Sequence, residues 1–192
     1  MPRRGFHCKL YVMTATLSML LLALVNFSLR DTQGVVHQQT EWLKSRAIVV
    51  FFTTIDCPIS NGYVPEMNRI RAEYASRGVD FYAVQTDTTI RDAEVRKHAK
   101  EFGFTFPVLL DPKQVLVRLA GATATPETAV LSSDGKVLYL GRIDNRVADF
   151  DKHRPAPTVT DLRDALDDVL AGKPVARPTT DVVGCGITLV KQ

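Results

Sequence analysis

Cys57, followed by Pro58, Ile59 and Ser60, stands where an apolar run ends and a helical spacing begins. A free thiol has a pKa near 8.5 and is only a few per cent ionised at neutral pH. At a helix N-terminus, unpaired backbone N–H groups and the helix dipole favour the thiolate, by about 0.3–1 kcal/mol or up to ~2 when partly buried. Pro58 suits the first helical position, where a missing N–H costs nothing. Ser60, one turn on, is expected to donate a further hydrogen bond, and Asp56 to oppose ionisation. The competing reading is a cysteine that is only a small buried hydrophobe, and the strand–Cys–Pro–helix pattern alone does not separate the two.

A thiolate that attacks a disulfide is left in a mixed disulfide, which a second thiol must release. Ser60 has no thiol to offer. Cys8 precedes a long apolar segment and reads as incidental, which leaves Cys185, flanked by Gly184 and Gly186 in a proline-punctuated tail. Two readings stay open. The tail folds back over the helix start, its glycines giving backbone freedom, and Cys185 resolves Cys57. Alternatively, Cys185 pairs with nothing or serves a partner. Neither "CPIS" nor "GCGI" has zinc-ligand spacing, so neither metal nor cofactor is expected. His98 and His153 lie in charged surroundings and are not placed as ligands. Arg142, Asp144 and Arg146 in "GRIDNR" read as a substrate or tail-docking patch, or as a solvated edge.

The elements that must position these residues follow from periodicity. Arg46–Thr54 is β-branched and aromatic without polar alternation, which predicts a strand buried on both faces. Val64, Met67, Ile70 and Tyr74 recur at helical spacing until Gly78. Val79–Asp87 is a second buried strand. Residues 89–104 read as an amphipathic helix with Ile90, Val95, Ala99 and Phe102 inward. A short extended run (106–112) and a short helix (113–121) follow. Glu127–Ile143 holds two strands about Ser132-Ser133-Asp134-Gly135, a hairpin signal. Residues 158–173 predict a last helix with Thr160 as N-cap and Leu162, Leu166, Val169 and Leu170 inward. This order predicts an α/β domain over residues 46–172, a mixed sheet covered by helices, with a tail at 173–192. Thr125-Pro126, just before the hairpin, fits either a cis peptide at a tight turn or an ordinary strand-entry proline.

The chain has 192 residues and a net charge of +3. Arg3, Arg4, Lys9 and Arg30 supply that excess within the first thirty residues, so no nucleic-acid footprint is expected. Residues 1–9 are a basic N-terminus. Leu10–Leu29 carries no charge and is long enough for a transmembrane anchor or signal segment. The basic flank predicts a cytoplasmic N-terminus and an exported domain, reached through a polar linker at 30–45. An uncleaved anchor is favoured over secretion after cleavage, because no clean small-x-small site follows.

Together, "FFTTIDCPIS" and "ATPETAVLSSDGKVLYLGRID" resemble the thioredoxin-like superfamily over roughly residues 40–172, most closely its redoxin and peroxiredoxin-like (AhpC/TSA) branch and exported TlpA-like relatives. The resemblance implies a thioredoxin-like fold and a redox role for Cys57. It also implies a cis-Pro126 loop facing that cysteine, with Thr125 and Arg142 as candidate substrate-binding residues. The implied partners are a thiol or disulfide protein, or a peroxide, and an external thiol reductant. Dithiol members carry C-x-x-C where this chain has C-x-x-S. Thr54 and Cys57 match the T-x-x-C half of the peroxiredoxin motif, but Val50 stands where its proline belongs. The peroxiredoxin arginine is also displaced, Pro126 standing near its place, with Arg118, Arg142 or Arg146 as substitutes. Thiol–disulfide exchange is therefore favoured over peroxide reduction. A copper carrier lacks its second cysteine, and a redox-inert scaffold leaves Cys57 unexplained.

Overall fold

The computed structural model describes residues 27–191. In chain order the elements are β1 (Ser28–Asp31), β2 (Val36–Gln38), β3 (Ala47–Thr53), α1 (Pro58–Tyr74), β4 (Val79–Gln85), α2 (Asp92–Glu101), β5 (Val108–Leu110) and α3 (Val115–Ala120). There follow β6 (Ala124–Thr125), β7 (Glu127–Leu131), β8 (Val137–Gly141), β9 (Val147–Asp149), β10 (Lys152–His153), α4 (Asp161–Leu170) and β11 (Cys185–Gly186). Seven strands form one mixed sheet in the order β2-β1-β5-β4-β3-β7-β8. β3 runs parallel to β4 and antiparallel to β7, so it lies near the middle, and all seven of its residues are buried.

That continuous burial is why β3 shows no polar alternation. Ala47, Val49 and Phe51 face a cluster built with Met67 and Ile70 of α1, Val95 of α2, and Leu162 and Leu166 of α4. Ile48, Val50 and Phe52 face the other way, onto Trp42 and onto Leu116 and Val117 of α3. Each fully buried Val, Ile or Phe contributes about 1.5–3 kcal/mol, so β3 anchors both layers. α1 gives way to a 3-10 turn at Ala75–Arg77, which stops at Gly78 with φ of 87°. That left-handed conformation is one that glycine takes without a Cβ penalty.

The main differences lie at the ends. Residues 10–26 of the expected anchor lie outside the described residues, and no described helix is long and apolar enough to cross a membrane. Phe27 and Leu29, read as the close of that segment, are instead buried in the core, Phe27 against Trp42 at 4.9 Å between rings. Residues 30–45, read as a linker, enter the fold as the rest of β1, as β2 and as a 3-10 helix at Gln39–Lys44. Asp31 makes this turn possible by accepting from the N–H groups of Gln33 and Val35 at 2.8 and 2.9 Å. The expected tail is also structured, since Cys185–Gly186 pairs with Ala124–Thr125 and Thr179 bridges to Leu140.

Two smaller corrections concern helices. Phe102 is 42% exposed and stacks on His98, because α2 ends at Glu101 and Phe102 caps it. Thr160 does occupy the N-cap of α4, but its hydroxyl donates to the Asp164 carboxylate at 3.0 Å and caps no backbone N–H.

Candidate active site

The α1 N-terminus is built around sulfur. β3 ends at Thr53, and the Cys57 N–H bonds back to the Thr54 carbonyl at 3.2 Å, turning the chain into the helix. Cys57 is the N-cap, and its Sγ accepts from the Ser60 N–H at 3.4 Å. Pro58 occupies the first helical position. Asn61 braces the approach by donating to the Ile55 carbonyl at 2.8 Å while its Oδ1 contacts Nε2 of His98 at 2.8 Å. Burial lowers the His98 pKa, which favours a neutral ring donating from Nε2.

The expected donor and the observed donor at Ser60 differ. The main-chain N–H reaches the sulfur, whereas the hydroxyl is buried with no hydrogen-bond partner. At an N-cap the third helical N–H is the group that points at the cap side chain, whatever residue supplies it. Thr54 likewise contributes its carbonyl, its hydroxyl being an acceptor for Gln85 at 3.4 Å.

Across from α1, the Thr125–Pro126 peptide bond is cis. Cys57 Sγ lies 3.1 Å from the Thr125 carbonyl oxygen, so this loop faces the cysteine. On the outer side of Thr125 lies the tail. β11 pairs antiparallel with β6, Cys185 opposite Thr125, and this brings Cys185 Sγ to 2.8 Å from Cys57 Sγ. Both thiols are free. A shift of about 0.8 Å along that line would reach the length of a disulfide.

The two sulfurs are unlike in acidity. Burial pushes the Cys57 thiol up, but hydrogen bonding from Cys185, the Thr125 side chain and the Ser60 N–H outweighs it and holds its pKa below the ordinary thiol value. Burial, the hydrogen bond to Cys57 and the charge there push Cys185 up to about 11. Cys57 is thus the more acidic of the two, and Cys185 the S–H that donates to it. Two thiols of unlike acidity in contact are arranged to form and break a disulfide.

Several residues that hold the tail carry no signal in the sequence. Gln114 is fully buried at a left-handed φ of 52°. Its amide donates to the carbonyls of Thr86 and Thr188, both at 2.9 Å, and its Oε1 accepts from the Val190 N–H at 2.8 Å. Thr180 Oγ1 lies 2.9 Å from the Tyr139 hydroxyl and accepts from the Arg142 N–H at 3.0 Å. Gly184 is needed for space rather than for backbone freedom: its φ is not positive, and a Cβ there would overlap the Thr125 carbonyl.

The candidate arginines are engaged elsewhere. Arg142 is not brought to the sulfur pair: its Nε donates to Asp161 at 2.7 Å. Arg118 donates to the Val190 carbonyl at 2.5 Å, and Arg146 stacks on the Tyr63 ring at 4.3 Å. Among the described residues no cluster of three or more His, Cys, Asp or Glu side chains is gathered for a metal.

Comparison with known proteins agrees with this architecture. A thiol-disulfide oxidoreductase ResA from Bacillus thuringiensis (strain Al Hakam) is 27% identical over 113 residues, which is 59% of this chain and 64% of that protein. The match thus spans a little under two thirds of the curated relative. A hypothetical protein from Sinorhizobium meliloti 1021 superposes with a TM-score of 0.71 at 26% identity, covering 87% of this chain and 92% of its own. A thiol:disulfide interchange protein of the thioredoxin family from Chlorobium tepidum TLS shares the fold, with a TM-score of 0.57 at 20% identity over 76% of this chain and 93% of its own. The family model for Redoxin matches residues 23–153, more than half of the sequence, and the chain belongs to the Redoxin family, within the thioredoxin-like superfamily.

Proposed function

We propose that this chain is a thiol–disulfide oxidoreductase whose redox pair is Cys57 and Cys185. The observation that carries the reading is the 2.8 Å approach of two free sulfurs, one beneath the helix N-terminus and one on the paired tail. The overall exchange is balanced: a partner disulfide and the two protein thiols become two partner thiols and a Cys57–Cys185 disulfide, or the reverse. The name carried by the ResA relative supports the same reaction class. The partners are a thiol or disulfide protein and an external thiol. Thr125, the candidate substrate-binding residue, has its strand edge occupied by β11, so a partner is expected to meet the tail before it.

The reading extends to location. Arg3, Arg4 and Lys9 before an apolar segment support a membrane-anchored chain with its redox domain on the exported side. Phe27 and Leu29 belong to the domain core, so the stretch left for the membrane is Leu10–Asn26, at the short end of what a bilayer needs.

Mild oxidation of the full chain tests the pair directly. Peptide mapping is expected to find Cys57 joined to Cys185, and Cys57→Ser is expected to abolish disulfide reduction while leaving the fold intact. Free thiols at both positions after oxidation would remove the reading. Peroxide reduction is the second reading, favoured by the Thr54-x-x-Cys57 spacing. It requires the oxidised chain to form faster with peroxide than with a disulfide at equal concentration.

A further inference from the structure

Cys57 is 0% exposed, whereas Cys185 is only half-buried. What covers Cys57 is not a loose end. Before Cys185, the Leu140 N–H donates to the Pro178 carbonyl at 2.9 Å, and the Thr180 N–H donates to the Leu140 carbonyl at 3.3 Å. After it, the Ile187 N–H donates to the Thr123 carbonyl at 2.8 Å, and Gln114 fixes Thr188 and Val190. Cys185 therefore lies in a strap pinned on both sides, across the floor formed by Thr125 and Cys57. Lifting it would break bonds to β8, β6 and Gln114 together.

Resting on the redox pair proposed above, we propose that the sulfur of this chain that exchanges with outside thiols is Cys185, and that Cys57 acts only behind it as leaving group and returning nucleophile. In the oxidised chain an incoming thiolate bonds to Cys185 Sγ. The Cys57–Cys185 bond breaks, and its electron pair stays on Cys57 as a thiolate. In the forward direction a second thiol of the same partner attacks the partner's first sulfur. The partner leaves with its own disulfide, and Cys185 departs as thiolate and takes the proton released by that second thiol. In the return direction Cys57 attacks Cys185, re-forms the internal disulfide and expels the partner thiolate.

Two independent features select this sulfur. Access favours Cys185, because the strap shields Cys57 without hiding itself. Leaving-group acidity favours it too, since the more acidic thiol departs faster and Cys57 is the more acidic of the two. The helix N-terminus, the Ser60 N–H and the Cys185 strap then serve to hold a departing thiolate out of contact with solvent.

The test uses the full chain with its Cys57–Cys185 disulfide first verified by intact mass and peptide mapping. The oxidised protein is mixed briefly with glutathione, quenched into acidic N-ethylmaleimide and mapped again. Glutathione is expected on Cys185 and N-ethylmaleimide on Cys57, in at least about tenfold excess over the reverse pattern, since access and leaving-group acidity act together. Glutathione on Cys57, or equal amounts on both, overturns the proposal. Absence of the disulfide at the verification step overturns the redox pair itself and the proposal with it, and is distinguished because it is read before glutathione is added.

Discussion

Gln114 donates its side-chain amide to the Thr188 carbonyl at 2.9 Å, so a residue just ahead of α3 fixes a tail seventy-odd positions further along the chain. The same amide bonds the Thr86 carbonyl at the end of β4, and its oxygen takes the Val190 N–H. Gln114→Asn tests this link, because asparagine tolerates the left-handed backbone but is one methylene too short. The expected result is faster hydrogen exchange at Ile187 and Val190 and faster alkylation of Cys57 in the reduced chain. A loss of about 1–3 kcal/mol in stability should accompany it, measured by urea unfolding. Exchange rates unchanged from wild type would show that the tail is held by other means.

Replacing Cys185 with alanine should raise the pKa of Cys57. The Cys185 S–H donates to the Cys57 sulfur, so it stabilises the thiolate, and removing it takes away one of the groups that offset burial. Thiolate ultraviolet absorbance against pH is the measurement. With Cys8 replaced by serine in both proteins, the lower transition of the parent lies below the ordinary thiol value and the second near 11. The variant should lose the upper transition and shift the lower one upward. A downward shift would mean that the tail chiefly desolvates Cys57.

Acid should weaken the clamp between α1 and α4. Burial pushes the Glu66 carboxyl up, but Arg163 from α4 and Arg69 outweigh this and hold its pKa below the usual glutamate value. A carboxylate whose folded pKa is depressed contributes stability above its unfolded pKa and loses it as pH falls through the folded one. Wild type should therefore lose stability across the region below the ordinary glutamate pKa. Glu66→Gln should start lower and fall less steeply there. Urea midpoints at a series of pH values decide the matter, and parallel curves would exclude Glu66 as the titrating group.

Much of the fold was legible because its signals are local. A run such as Ile48–Phe52 has few alternatives to a central strand, and Pro58 after Cys57 announces the helix start. β1 was hidden because Phe27–Leu29 continues an apolar run that reads as a membrane segment, and four residues give too short a pattern to separate. At the site, the place of Cys57 was legible from its junction, the cis-Pro126 loop facing it followed only from the family resemblance, and the Cys57–Cys185 approach was one of two open readings. That contact spans 128 positions and depends on a two-residue strand without periodicity. Gln114 was missed outright, since nothing local marks a glutamine that will take a left-handed backbone.

The two glycines beside Cys185 separate backbone freedom from space. A Cβ on Gly184 would overlap the Thr125 carbonyl, whereas one on Gly186 meets nothing within 4 Å, and neither residue has a positive φ. If flexibility were what the tail needs, alanine at either position would slow disulfide formation alike. Close approach demands an asymmetry. Gly184→Ala should push β11 off β6, cost about 1–3 kcal/mol as an overpacked contact and slow Cys57–Cys185 oxidation sharply. Gly186→Ala should stay within about 0.5 kcal/mol of wild type and oxidise at the wild-type rate. Oxidation rates in a common redox buffer give the answer, and equal slowing in both variants would return the tail to a flexible tether.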